Sequence, residues 1–218
     1  RFKDNARHIA NTLDLTTDAI DWMAQSGDRP FFMYINLANP HYRYRPPREY
    51  LSQIDFGWSD LTGDTQTPLH LGEVAFTDEV LGQLFEALDR LGLRERTLVV
   101  LHADHGETLE PERDHVPRVP SSTVPRKAID YKTTLYKHGW SWQETETRIP
   151  MMLSLPGRIT PRRVDRAVTA IDIAPTILRI LGLEKPPQMH GEDLLAPGAT
   201  ARPSVVEGKQ FRSVVDGS

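Results

Sequence analysis

The sequence lacks cysteine, a strong net charge and a long apolar run, and each absence excludes a class of protein or site. Without cysteine, the 218 residues form no disulfide, no thiolate metal site and no cysteine nucleophile. With 26 Lys and Arg against 30 Asp and Glu, the formal net charge is -4, so the basic field that nucleic acid binding requires is missing. No apolar run reaches the roughly 18 residues of a membrane span. The compartment stays open, because cytoplasmic and exported locations fit equally.

The composition that remains is that of a globular protein. Hydrophobic residues make up 39% of the chain, which is enough for a substantial core. The first residues are charged and include no initiator Met, and the last, "VVEGKQFRSVVDGS", resume an apolar alternation and then stop. We therefore expect residues 1–218 to be a single fragment of a larger domain whose N-terminal part and C-terminal end are missing.

Hydrophobic periodicity predicts helices and strands in alternation. Helices are predicted over residues 15–25, 69–91 and 171–182. Strands are predicted over residues 30–38, 97–103 and 149–157. Gly27, Gly92 and Gly182 are predicted to end the helices, and Asp172 to cap the third. Helix followed by strand, twice over, indicates an α/β layered sandwich with a central, largely parallel or mixed sheet flanked by helices.

The remaining stretches carry other signals. The apolar face of the second helix is predicted to be Val74, Leu81, Leu84, Phe85, Leu88 and Leu91. Residues 52–68 have no period and are predicted to be loop. Residues 111–133 hold four prolines among scattered basic residues and are predicted to be a long functional or disordered loop.

Three polar clusters follow predicted strands or open loops. They are Asn39-Pro40-His41, Asp104-His105-Gly106-Glu107 and Lys137-His138-Gly139. Ligands of open α/β sheets collect outside the carboxyl ends of strands, and the first two clusters stand at such places. A shared pocket is therefore plausible.

Asp104 and His105 form a pair that suits a divalent cation, with a carboxylate oxygen and an imidazole nitrogen as ligands. Gly106 would let the backbone turn tightly beneath the ion. Most metal sites need three or more protein ligands, and no convincing further set follows from the spacing. The pair is equally consistent with Asp104 capping a turn and His105 being a solvated loop residue.

His41 and His138 are candidates for hydrogen bonding an anionic substrate or protonating a leaving oxygen. Lys137 is a candidate for supplying a fixed positive charge to the same anion. Each of the three is also consistent with an ordinary surface or packing residue.

Four segments in order resemble the sulfatase family of the alkaline-phosphatase-like superfamily. They are "PFFMYINLANPHYRYRPP", "TDEVLGQLFEALDRLGLRERTLVVLHADHGE", "HGWSWQETETRIPMMLSLPG" and "VTAIDIAPTILRILGLEKPPQMHGEDLL". The resemblance covers about Asp18 to Leu195. It implies a partial alkaline-phosphatase-like fold and a metal-dependent hydrolase of sulfate esters.

The resemblance also implies roles for individual residues. Asp104 and His105 match metal ligands, with Ca²⁺ as the first choice and Mn²⁺, Mg²⁺ or Zn²⁺ as alternatives. His41 and His138 match histidines that contact the sulfate or the leaving oxygen, and the adjacent Lys137 is a weaker substrate-binding candidate. His115 is a loose match to a histidine that often follows the Asp-His-Gly-Glu motif.

The chain also departs from the family pattern. The family's nucleophile, a Cys or Ser of a Cys/Ser-x-Pro-x-Arg motif converted to formylglycine, is not found, and neither is the pair of metal-binding aspartates that precedes it. We expect both to lie outside these residues, so that this fragment alone is inactive.

Two rivals to the sulfatase interpretation stay open. Many family members have Asn where His105 stands, and His at that place also occurs in phosphonate and phosphate-diester hydrolases of the group. A phosphodiesterase or phosphonate monoester hydrolase is therefore the first rival. The second is a non-catalytic relative that binds sulfated glycans or a partner. A small-molecule or glycan sulfate ester is the expected substrate, and the oligomeric state is unknown.

Overall fold

Helices and short strand pairs make up the regular structure of this chain. The computed structural model describes residues 5–54, 66–109, 138–139, 143–196, 203–207 and 212–215. The helices are α1 (Asn5–Ser26), α2 (Arg48–Leu51), α3 (Gln66–Arg90), α4 (Glu144–Thr147) and α5 (Ile173–Ile180). Two 3₁₀ turns lie at Arg94–Arg96 and Ala170–Asp172. The strands are β1 (Val99–His102), β2 (Met151–Ser154), β3 (Ser204–Glu207) and β4 (Arg212–Val215).

Two compact units account for these elements. The first holds the chain up to Leu98, with Leu155–Arg158 joining it. The second holds the described residues within Val99–Thr108, Glu112–Ser154 and Ile159–Ser218. The assignment of residues 1–218 to one domain fragment stays a prediction.

The core of the first unit lies where α1 contacts α3. Its buried apolar side chains on these helices are Ala19, Met23, Phe76, Val80, Leu84, Ala87 and Leu88. They recur at intervals of three or four residues, which places them on one face of each helix. Each large side chain removed from water in this way stabilises the fold by about 1.5–3 kcal/mol.

Both long helices end at the predicted glycines. Gly27 follows α1 with φ 58° and Gly92 follows α3 with φ 65°, the left-handed region that side chains disfavour. After α3, the Leu93 N–H donates to the Leu88 carbonyl at 2.8 Å and the Gly92 N–H to Asp89 at 3.0 Å. These two bonds satisfy carbonyls that would otherwise be left without a partner at the helix end.

Several predicted boundaries and faces were wrong. Helix α1 begins at Asn5 rather than at residue 15, and α3 begins at Gln66, so Pro68 is in its first turn rather than in a loop. Proline is tolerated there because the first helical N–H groups have no partner within the helix. Val74, predicted to be buried, is 43% exposed. The buried face of α3 instead includes a carboxylate, Glu73, which a purely apolar pattern does not reveal.

The segment 30–38 is not a strand in the structure, although its side chains alternate. Residues 31–38 switch between half-buried and exposed at every position, with Phe32 80% and Tyr34 74% exposed. That period of two is the period of a strand. A ladder also needs a hydrogen-bonding neighbour, and the described part of the chain pairs no strand with this segment. The prediction of a buried strand at residues 30–38 was therefore wrong, both in the strand and in the burial of Phe32 and Tyr34.

The second unit contains the predicted second and third strands as an antiparallel pair. In the pair β1–β2, Val100 lies opposite Leu153 and His102 lies opposite Met151. Beyond it, β3 and β4 form a separate antiparallel pair. The pairs between described strands are thus antiparallel, and a mixed sheet, one of the predicted forms, contains such pairs.

Asp172 stands at the N-cap position of α5, as predicted, but its side chain caps the 3₁₀ turn Ala170–Asp172 that precedes the helix. The Asp172 carboxylate accepts the Thr169 backbone N–H at 2.9 Å, which makes the two residues a capping box. Its other oxygen accepts the Glu192 N–H at 2.9 Å and so fixes the following loop against the helix. Among the described helices, none combines the length and the hydropathy needed to cross a membrane.

Candidate functional site

Asp104 and His105 lie just past the carboxyl end of β1, in the loop 104–108. The Asp104 side chain is 87% exposed, and its Oδ1 accepts the His105 backbone N–H at 3.1 Å. The same oxygen lies 3.6 Å from His105 Nε2. The two side chains therefore present one oxygen and one nitrogen to the same space.

The hydrogen bonds of His105 determine which of its nitrogens faces Asp104. Nδ1 lies 2.8 Å from the Gly106 carbonyl oxygen, which can only accept, so Nδ1 carries a hydrogen. In the neutral ring Nε2 then offers its lone pair on the side of the Asp104 carboxylate. Metal-binding histidines commonly use this arrangement, in which a second acceptor fixes the tautomer.

These donors fit a hard or borderline divalent cation, as two ligands of a larger set. The Nε2 lone pair of His105 and the Asp104 carboxylate oxygen, 3.6 Å apart, do not attract each other. Both would be attracted to a cation between them. Within the described residues, no three His, Cys, Asp or Glu side chains are grouped as a metal site requires. The set is therefore partial.

His138 stacks on His105. The ring centroids are 3.4 Å apart and the planes differ by 26°. Nδ1 of His138 lies 3.4 Å from Oε2 of Glu107, whose side chain is 7% exposed. The structure thus brings together three of the predicted site residues, Asp104, His105 and His138. The Glu107 carboxylate contacts the His138 ring through Nδ1.

Glu146 on α4 links the two segments that carry these histidines. Its carboxylate accepts the Thr108 hydroxyl at 2.9 Å and the Gly139 backbone N–H at 2.6 Å. Its carbonyl oxygen accepts the Gly106 N–H at 2.8 Å. Glu146 is 6% exposed. Two loops far apart in sequence are therefore fixed to one buried residue.

His41 lies in the first unit. It is exposed, and its Nδ1 donates to the Tyr42 carbonyl at 2.6 Å, while its backbone N–H closes a turn to Ala38 at 3.2 Å. The structure therefore places His41 on a turn with an accessible ring, and it relates His41 to neither Asp104 nor His138.

The turn that carries His41 is anchored by buried polar groups. Asn39 is 1% exposed, and its Oδ1 accepts the Thr12 hydroxyl of α1 at 2.6 Å. Glu73 of α3, 3% exposed, accepts the Arg45 N–H at 2.6 Å. Burial raises the pKa of Glu73, while the Arg45 N–H and the Asn39 amide act in the opposite direction.

His70 lies one turn before Glu73 on α3. Its ring packs edge-on against Tyr44, with centroids 5.0 Å apart. Burial lowers the pKa of His70, because the protonated ring would lose its hydration. Gly72, between the two, leaves the space that the Pro46 ring fills, since a Cβ there would lie 2.6 Å from Pro46 Cγ.

Some predicted features and several supporting residues stand apart from this site. Lys137, His115 and the whole 111–133 loop lie outside the described residues. Sequence reasoning missed Glu73 and Glu146 as supports, and quoted Glu107 without giving it a role. A carboxylate on the buried stripe of an amphipathic helix was a readable signal for Glu73. No comparable signal marks Glu146, which stands on a four-residue helix.

The sequence has clear relatives. A model of the sulfatase family matches residues 5–183. An endo-4-O-sulfatase of Bacteroides thetaiotaomicron is 28% identical over 199 residues, covering 84% of this chain and 32% of that protein. Arylsulfatase K of Bos taurus is 31% identical, covering 83% of this chain and 38% of that protein. The chain thus spans about a third of the length of these curated relatives.

Solved structures share the fold. One from Bacteroides thetaiotaomicron, described under the metabolism of multiple glycosaminoglycans, matches with a TM-score of 0.67 and 19% identity, covering 96% of this chain and 47% of that one. A lipoteichoic acid synthase of Listeria monocytogenes matches with a TM-score of 0.58 and 22% identity, covering 82% and 41%. The chain therefore has part of the α/β fold of these structures, which agrees with the fold class that the sequence predicted.

Proposed function

The chain belongs to the sulfatase family, and we propose that it supplies one part of the cation and ester site of a sulfate ester hydrolase. The observation that carries the proposal is the convergence of Asp104, His105 and His138 at the end of β1. Family membership alone names a reaction class. The three side chains indicate where in this chain the proposed cation and ester site lies.

Asp104 and His105 would hold a divalent cation, with Ca²⁺ as the first choice. A bound cation supplies positive charge that offsets the charge building on the ester oxygens as the S–O bond breaks. Two ligands do not complete a site, so further ligands must come from residues beyond those described. The nucleophile, expected to be a formylglycine, is likewise assigned outside this chain.

His138 and His41 would act on the ester itself. Glu107 orients the His138 ring through Nδ1, so Nε2 is the nitrogen that would donate to a sulfate or leaving oxygen. Nδ1 of His41 donates to the carbonyl of the neighbouring Tyr42, and its exposed ring would contact the ester. Lys137 would add a positive charge beside His138. A small-molecule or glycan sulfate ester is the proposed substrate.

Replacing Asp104 with Ala in the full-length protein tests the cation site. We expect hydrolysis of an aryl sulfate to fall at least about 100-fold. Losing a residue that only supports a metal ligand costs about 10–100-fold, and losing the ligand itself should cost more. Wild-type activity should also fall on chelation and return with Ca²⁺. Asp165→Ala is the matched control, since Asp165 is an exposed carboxylate that pairs with the exposed Arg163 at 2.8 Å. Near-normal turnover by Asp104→Ala would remove the assignment.

A phosphate-diester or phosphonate hydrolase is the second candidate, favoured by His105. In the resemblance, this position is Asn in many sulfatases and His in several phosphorus-ester hydrolases. Comparing kcat/KM of the full-length protein for an aryl sulfate and for a bis-aryl phosphate decides between the two. A preference for the phosphate diester would replace the sulfatase proposal and keep the same cation site.

A further inference from the structure

Glu146 is buried between the two segments of the candidate site, and nothing in the family motifs gives it a role. We propose that Glu146 is a positioning residue that sets the placement of His138 relative to Asp104 and His105. This inference rests on the proposed function of those three residues. It concerns the geometry of the site, whichever ester is the substrate.

The hydrogen bonds of Glu146 reach both segments at once. One carboxylate oxygen accepts from Gly139, the neighbour of His138, at 2.6 Å. The other accepts from Thr108 at 2.9 Å, at the far end of the loop 104–108. The backbone oxygen accepts from Gly106 at 2.8 Å, next to His105. One residue therefore fixes the loop of the cation pair at two points and the second histidine at one.

The close approach of α4 to the loop makes this link stiff. A Cβ on Gly106 would collide with the Thr145 carbonyl oxygen, so the backbone at Gly106 lies directly against α4. Thr108 and Glu146 are 7% and 6% exposed, so water competes little for their hydrogen bond. A rigid link of this kind keeps the two imidazole rings stacked at 3.4 Å.

A carboxylate suits this place better than an apolar group. Burying a charge is costly unless donors surround it, and hydrogen bonds to an ionised acceptor are short and strong. Both oxygens of Glu146 accept such bonds, so they are occupied by the protein rather than presented to a cation. Its role is therefore to hold the residues that bind, which distinguishes it from Asp104.

The test compares three substitutions at this link with one control, all in the full-length protein. Glu146→Ala removes both side-chain bonds, and kcat/KM for an aryl sulfate should fall about 10–100-fold, as for other residues that orient metal ligands. Glu146→Gln keeps an acceptor for Gly139 and can donate to the Thr108 oxygen, so it should stay within about threefold of wild type. Thr108→Val leaves one buried oxygen without its donor and should cost about fivefold.

Glu144 provides the matched control on the same short helix. Its side chain is 82% exposed and pairs with Arg148 on the surface. Glu144→Gln should therefore leave kcat/KM and the melting temperature at wild-type values. A loss in this control equal to that of Glu146→Ala would show an effect of helix charge and overturn the positioning role.

A double-mutant cycle separates positioning from a general effect on stability. If Glu146 acts through His138, Glu146→Ala should cost much less in a His138→Ala background than in wild type. An equal cost in both backgrounds would mean that the two act independently, and the inference would be wrong. Should Glu146→Ala fail to fold, Thr108→Val carries the same cycle.

Calorimetric titration with Ca²⁺ gives a readout that does not depend on turnover. Because the loop of Asp104 and His105 is held by the same residue, Glu146→Ala should weaken Ca²⁺ binding while Glu144→Gln should not. A wild-type protein that neither binds Ca²⁺ nor hydrolyses either ester would overturn the proposed function, and the inference with it. An active wild type with an equally active, equally Ca²⁺-binding Glu146→Ala variant would overturn the inference alone.

Discussion

Glu73 shows how a single buried acid makes the fold sensitive to pH. It lies at the base of the His41 turn, 3% exposed, with the Arg45 N–H on one oxygen. Its pKa is raised chiefly by burial, so the folded protein holds a proton at this carboxyl more tightly than the unfolded chain does. Stability from this group is therefore complete below the unfolded pKa and is lost as pH rises through the folded pKa.

Glu73→Gln should remove the loss of folding stability that ionisation of Glu73 causes as pH rises. Relative to wild type, the variant should become progressively more stable as pH rises from below the ordinary pKa of a glutamic acid to neutral pH, by about 1.4 kcal/mol for each tenfold weakening of the acid in the folded state. Thermal unfolding of both proteins across this range measures the difference. Glu86→Gln, an exposed acid on the same helix, should show no such trend. A Glu73→Gln difference that is constant with pH would contradict the assignment.

Some residues of the candidate site could be predicted from the sequence and others could not. Asp104 and His105 could be named as candidates from the sequence, because they follow a predicted strand, and His138 could be named because its segment resembles the sulfatase family. Glu146 could not, because its contacts reach Thr108 and Gly139, which lie 38 and 7 residues away along the chain. Local pattern reasoning has no access to such pairings.

Helices, among the elements, were more predictable than strands. A helix satisfies its own hydrogen bonds, so α3 and its Gly92 stop follow from periodicity and turn chemistry. A strand depends on a partner elsewhere in the chain, so the segment 30–38 has the alternation of a strand without being one. The helix faces were less certain, because Glu73 replaces an apolar residue on the buried side of α3.

Two glycines of α3 test whether the helix stop is set by backbone conformation. Gly82 lies within the helix and Gly92 just past its end, and a Cβ at either would meet no atom within 4 Å. Gly82→Ala should stabilise the protein by about 0.5–1 kcal/mol, because alanine loses less backbone entropy in a helix. Gly92→Ala should destabilise it by about 1–2 kcal/mol, because φ 65° is unfavourable for alanine.

Chemical denaturation of the two variants beside wild type measures both effects. The pair controls for the added methyl group, since neither position offers it a contact. Shifts of the same sign would show that something other than backbone conformation decides the outcome.

At the scale of the whole molecule, the sequence predicted the fold class, while the pairing of its strands is known only from the structure. The α/β class follows from the order of helices and strands, the resemblance to the sulfatase family implied the particular fold, and the family match and the solved structures agree with both. The pairing of β1 with β2 is antiparallel, and the apolar run at 30–38 has no strand beside it among the described residues. Strand neighbours are decided by the assembly of the whole sheet, which single segments do not encode.

The segment 31–38 leads to a prediction about how the 218-residue chain behaves in solution. It presents an extended backbone with Phe32 and Tyr34 exposed on one side, which is the pattern of an open sheet edge. A segment of this kind, with no strand beside it among the described residues, favours pairing with another copy. We expect the chain to self-associate at micromolar concentrations. Replacing both Phe32 and Tyr34 with Lys should shift the equilibrium toward monomer, because charges on a sheet edge oppose pairing. Light scattering after gel filtration measures the shift. Leu181→Lys with Leu183→Lys, which replaces two other exposed apolar side chains outside this segment, should leave it unchanged. If both pairs of substitutions dissociate the chain to the same extent, association is driven by apolar surface in general and the edge has no special part in it.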